Sequence, residues 1–149
     1  MNETIVVGVD GSMAARLAVR WAAREAELRK ADLILVSAWS ILLDGFSLGD
    51  VAVTEDLLKG LEIDAEQRLA EAANDARAVA TDISITTEAV EGNPSAVLLH
   101  AARDADLLVI GSRGLGGFRG LLLGSVSQQC ADHASCPVVV VRHVDGDTP

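Results

Sequence analysis

Leu107-Leu108-Val109-Ile110 sets four apolar residues in a row with nothing alternating toward water, so a strand there has to be covered on both faces. Three other stretches are alike in character: Thr4 to Val9, Leu33-Ile34-Leu35-Val36 running on to about Trp39, and Pro137-Val138-Val139-Val140-Val141. Helical patterns separate them. Ala14, Leu17, Ala18, Trp21, Ala22 and Leu28 mark one face of a first helix, with Arg16, Arg20, Arg24, Glu27 and Lys30 on the other. Leu58, Leu61, Ala65, Leu69, Ala72, Ala76 and Val79 give a long second helix, whose Glu62, Glu66, Arg68, Glu71 and Asp75 read as an ordinary solvated face. Ile83 to Val90 alternates and suits an edge strand. Gly92-Asn93-Pro94 starts a third helix with proline near N1. Val126, Cys130 and Ala134 mark a fourth, where Ser125 and Gln128 have the form of a capping box.

Parallel strands need crossovers, and those crossovers are right-handed. The order β-α-β-α-β-α-β-α-β therefore predicts an α/β fold of Rossmann-like type: an open five-stranded parallel sheet, order 3-2-1-4-5, with helices on both faces. One domain over residues 1–145, with a flexible tail at 146–149, accounts for the length. The winding reverses between the first and fourth strands, and ligands of such sheets lie at the carboxyl ends of the strands flanking the reversal. Asp10 ends one and Gly111 the other.

Half of the residues are hydrophobic but only 3% are aromatic, so the core is expected to consist of Val, Ile, Leu and Ala. Asp and Glu number 22 against 12 Lys and Arg, a formal charge of −10 that opposes nonspecific contact with nucleic acid or anionic membrane. A polyanionic ligand then depends on local donors. Met1-Asn2-Glu3 lacks a signal-peptide pattern and no apolar run has membrane-spanning length, so a cytoplasmic location is expected. Cys130 and Cys136 show no CxxC spacing and read as small core hydrophobes. His100, His133 and His143 lack a nucleophile motif and read as packing or helix-end residues; no catalytic or metal-ligating set is expected.

The donors are concentrated after the fourth strand. Gly111 to Gly120 holds five glycines and two arginines, and the segment then leads into a helix start at Gly124-Ser125. The Walker pattern is excluded by the lack of any lysine there, and Gly-x-Gly-x-x-Gly by Arg119 at the third glycine position. What stands is Gly111, two residues, Gly114, nine residues, then Gly124-Ser125. That spacing resembles the ATP-binding signature of the universal stress protein family. The resemblance extends to Val6-Val7-Gly8-Val9-Asp10-Gly11-Ser12, to Gly92-Asn93-Pro94 and to Pro137–Val141, nearly the whole chain.

The resemblance implies a single-domain, ATP-binding member. Asp10 and the backbone near Val9 and Ala38 would meet adenine and ribose; Gly111, Arg113 and Gly114 would line the phosphates; Gly124, Ser125, Val126 and Ser127 would close over phosphates and ribose. ATP with Mg²⁺ is the implied ligand, and a homodimer through Val138, Val139, Val140 and Val141 the implied assembly, for which an apolar edge strand gives a physical reason. Other readings stay open beside these. Asp10 and Ser125 are also candidate helix caps, and Arg113 and Arg119 candidate solvated side chains. A loop rich in glycine and aspartate from Ser40 to about Asp50 suits a flap or partner contact. Function is expected to be nucleotide-dependent regulation of a stress response. The alternatives are a slow ATPase, a receptor for AMP or a cyclic nucleotide, and a nucleotide-free scaffold.

Overall fold

The computed structural model describes residues 1–41, 53–113 and 123–143. Its elements are β1 (Thr4–Gly8), α1 (Met13–Arg29), β2 (Asp32–Trp39), α2 (Glu55–Val79), β3 (Ser84–Glu91), α3 (Pro94–Ala101), β4 (Leu107–Gly111), α4 (Ser125–His133) and β5 (Val138–Val141). All strand pairs are parallel, in the order β3-β2-β1-β4-β5, as the alternation of apolar runs and helices requires. The winding does reverse between β1 and β4. Gly114 and Arg119, most of the Ser40 to Asp50 loop and the tail from Val144 lie outside the described residues.

Two cores cover the two faces. Ile5, Val7, Leu33, Leu35 and Val109 pack under α1 and α2, while Val6, Val36, Leu108 and Ile110 pack under α3 and α4. The first core is built chiefly from alanines on its helical side: Ala18, Ala22, Ala26, Ala65 and Ala76 are fully buried. Small side chains let α1 lie close to the sheet, and this shifts its buried face away from the expected one. Leu17 and Trp21 stand at its border, and Leu28 is 81% exposed, a correction to its assignment to the inner face.

The edge strand β3 keeps Ile85 and Ala89 half-buried against the first core and turns Thr86, Glu88 and Val90 to solvent. Pro94 takes the first turn of α3, whose Asn93 cap accepts from the Ala96 amide. Of the two readings of His100, packing or helix end, the second fits: it is exposed in the last turn of α3.

Cys130 is fully buried in the second core and Cys136 is half-buried against it, both packing as small hydrophobes. Burial pushes the Cys130 thiol up to about 11. The folded chain thus holds this proton over a range in which the unfolded chain releases it. Stability from this group is complete below pH 9.0 and declines as pH rises toward about 11. Thermal melts are expected to fall more steeply over that interval for the parent than for Cys130→Ala, once the latter's lower starting stability is subtracted. Identical slopes would contradict the assignment.

Candidate nucleotide site

The carboxyl ends of β1, β2 and β4 differ in how their chains leave the sheet. β1 passes into a turn in which Gly11 adopts φ +83, a left-handed conformation that glycine tolerates best. This turn lets Asp10 Oδ1 accept the Ser12 amide at 2.8 Å, while Ser12 Oγ accepts from Ala15 at 3.1 Å. Ser12, not Asp10, is the N-cap of α1. Asp10 is exposed, and its second carboxylate oxygen has no partner among the described residues.

β2 outruns β1. Their pairing ends at Gly8 with Val36, whereas β2 stays paired to β3 as far as Trp39 with Glu91. The Val36 carbonyl accepts from Val9 on one side and the Trp39 carbonyl from Gly92 on the other. Alternation along the strand therefore turns the Ala38 N–H and C=O toward the β1 side, beyond the last β1 pair, with no partner there among the described residues. A donor and an acceptor side by side at the carboxyl end of β2 match one edge of a purine base.

β4 leaves through Gly111, Ser112 and Arg113. Gly111 is fixed by packing: a Cβ there would lie 2.8 Å from the Ala14 carbonyl carbon, the Ala14 Cβ and the Ala15 nitrogen. Its role is thus the close seating of α1 on the end of β4, a reason its place in a glycine motif conceals. Ser112 then joins three elements. Its N–H donates to the Val141 carbonyl at 2.8 Å, and its carbonyl accepts from the Gly124 amide at 2.7 Å and from Ser127 Oγ at 2.8 Å. The start of α4 is thereby held beside the end of β4, although nine residues separate Gly114 from Gly124.

The helix start so placed is bare. α1, α2 and α3 are capped by the side chains of Ser12, Thr54 and Asn93; α4 has Gly124 at its N-cap and no side-chain cap. The expected capping box is absent: Ser125 is the first helical residue and exposed, and Gln128 reaches forward to Asp132 at 3.3 Å. The amides of Ser125, Val126 and Ser127 have no partner among the described residues, and they carry the partial positive charge of a helix start. Ser127 is 2% exposed and its hydroxyl donates to the Ser112 and Gly124 carbonyls. It ties the loop ends together, and what it can offer a ligand is its N–H rather than its hydroxyl. Arg113 is half-buried and forms no ion pair among the described residues.

One neighbouring side chain was hidden by helical periodicity. Arg68 does not lie on a solvated face of α2: it is half-buried, its stem rests on Gly11 (Cδ 3.1 Å from a Cβ position there), and its Nη2 reaches Ser37 Oγ at 3.5 Å. Asp75 also leaves that face, taking two hydrogen bonds from Arg16 of α1 at 3.0 and 3.2 Å, which raise the Arg16 pKa. The signal available in the sequence was length. A helix of 25 residues outruns strands of five to eight, so a residue in its middle comes level with the sheet's edge.

The universal stress protein family model matches residues 1–142. A universal stress protein of Mycobacterium tuberculosis is 37% identical over 143 residues, covering 93% of this chain and 44% of the relative; one of Mycolicibacterium smegmatis is 34% identical over 138 residues, covering 93% and 45%. The chain thus spans about half the length of the curated relatives it matches. Among solved structures, a universal stress protein in complex with cAMP superposes with TM-score 0.72 at 31% identity over 95% of this chain and 97% of that one. The Archaeoglobus fulgidus universal stress protein in complex with dAMP superposes with TM-score 0.65 at 26% identity over 93% and 97%. With a family match over nearly its full length and a fold shared with these structures, the chain belongs to the universal stress protein family.

Proposed function

We propose that the chain is a nucleotide-dependent regulator that binds ATP across the carboxyl ends of β2, β1 and β4. The base edge lies on the Ala38 N–H and C=O, with the neighbouring backbone of Val9 as a wall. The Asp10 carboxylate accepts from a ribose hydroxyl or the base amino group. The phosphates lie on the amides of Ser125, Val126 and Ser127, flanked by Gly111, Gly114, Gly124 and Arg113. The observation that carries this reading is the uncapped start of α4, held beside β4 by Ser112. Cyclic AMP and dAMP in two related structures support the adenine nucleotide class.

Among the described residues no group of three His, Cys, Asp or Glu is placed to hold a metal ion. Mg²⁺ would accordingly arrive with the triphosphate, held by phosphate oxygens and water. Asp10 belongs to the adenosine end, and among the described residues no other carboxylate is assigned to the site to orient a water on the terminal phosphate, so the reading favours regulation over hydrolysis. The half-buried valines Val138–Val141 form the strand at one edge of the described sheet, the face proposed to join two copies. Among the described residues no helix is long and apolar enough to cross a membrane, and the reading places the protein in the cytoplasm.

Isothermal titration of protein stripped of nucleotide tests the reading. Saturable 1:1 binding of ATP, with AMP and cAMP weaker, is expected. Absence of binding for all three by a natively folded sample would overturn it.

A further inference from the structure

The guanidinium of Arg68 stands apart from the other arginines that meet side chains of their own chain. Arg16 pairs with Asp75, and Arg29 with Glu25 and Glu3. Arg68 pairs with no carboxylate among the described residues, although Glu71 and Asp75 line the same cleft of about 40 Å³ between α1 and α2. Its Nε is buried with no hydrogen-bond partner among the described residues, and its contact to Ser37 Oγ, at 3.5 Å, is at the outer limit of a hydrogen bond. Asp75 is already taken by Arg16 through both oxygens, and a half-buried cation without a carboxylate of its own is costly unless another acceptor completes it. The stem crosses Gly11, next to Asp10, and the head ends at Ser37, next to Ala38.

The geometry points to Arg68 as a ligand-binding residue at the adenosine end of the site, its guanidinium donating to an acceptor of the base or ribose. This rests on the nucleotide reading above and adds to it a residue from α2. Gly11 takes part through its lack of a side chain: a Cβ there would crowd the Arg68 stem at 3.1 Å, at a φ of +83 that already disfavours one. The adenosine half is the part shared by AMP and ATP, so a contact made only there affects both equally.

Arg68→Met keeps the stem and removes the donors. It is expected to weaken AMP and ATP binding by the same factor, about tenfold, the effect of one charge-assisted hydrogen bond. Its melting temperature should stay within a few degrees of the parent's, because the removed Nε had no partner among the described residues and the lost contact to Ser37 Oγ is long, at 3.5 Å. Parent affinity for both nucleotides overturns the proposal whatever the melting temperature, and so does a loss for ATP alone, which would put Arg68 at the phosphates. Should Arg68→Met fail to fold, Arg68→Lys carries the test, with equal weakening for AMP and ATP expected and unchanged affinities overturning it. If the parent itself binds neither nucleotide, the nucleotide reading fails and this one with it, a result distinct from failure of the variant alone.

Discussion

Ser125→Asp is expected to bind ATP at least about a hundredfold more weakly than the parent while melting higher. Both effects come from one carboxylate at the first position of α4. In the unliganded chain that carboxylate faces the partial positive charge of a helix start with no side-chain cap, a placement that stabilises by about 0.3–1 kcal/mol and raises the melting temperature by about 1–4 °C. When nucleotide enters, the same carboxylate meets phosphate oxygens at close range. Like charges about 4 Å apart repel by a few kcal/mol at a near-surface dielectric, and 2.7 kcal/mol is a hundredfold. The loss should be larger for ATP than for AMP. Parallel differential scanning calorimetry and isothermal titration check the two signs together. A variant that melts higher and binds ATP as the parent does would remove the phosphates from α4.

Gly111→Ala is expected to destabilise the fold by about 3 kcal/mol, lowering the melting temperature by roughly 10 °C. The added methyl would stand 2.8 Å from backbone atoms of Ala14 and Ala15. Main chain in the first turn of α1 cannot swing aside as a flexible side chain does. Gly60→Ala supplies the opposite sign: nothing lies within 4 Å of its Cβ position and it occupies the interior of α2, so a gain of about 0.5–1 kcal/mol is expected. Thermal melts of both variants measure the contrast. Equal behaviour would show that α1 is not seated on β4 as described.

These two cases show which parts of the molecule the chain's own letters disclose. Strand order was legible because the runs around Val7, Leu35 and Val109 lack alternation while Ile83 to Val90 has it, and crossover handedness leaves few ways to arrange them. The crevice followed from that order, which brings Asp10 and Gly111 to neighbouring strand ends. Roles within the crevice were less legible, because spacing does not tell a side chain's direction. Ser127 fits a phosphate motif, yet its hydroxyl turns inward to the Ser112 carbonyl. Ser125 and Gln128 have capping-box spacing, yet Gly124 is the N-cap and Gln128 reaches Asp132. Asp10 and Ser12 are both capping residue types; the left-handed Gly11 between them decides for Ser12. Leu28 and Arg68 were misplaced for one reason: a helical face was drawn from side-chain type, whereas the packed surface is set by alanines and by where each helix passes the sheet's edge.

The central claim is that main-chain amides at the start of α4 grip the phosphates. Two-dimensional ¹H–¹⁵N spectra of the uniformly labelled chain, recorded as Mg²⁺–ATP is added, measure it at the atoms concerned. The amide protons of Ser125, Val126 and Ser127 are expected to move downfield and saturate together with those of Asp10 and Ala38, while Asn93 and Ala96 at the capped start of α3 stay in place. Saturable shifts at other helix starts, with the three α4 amides unmoved, would contradict it.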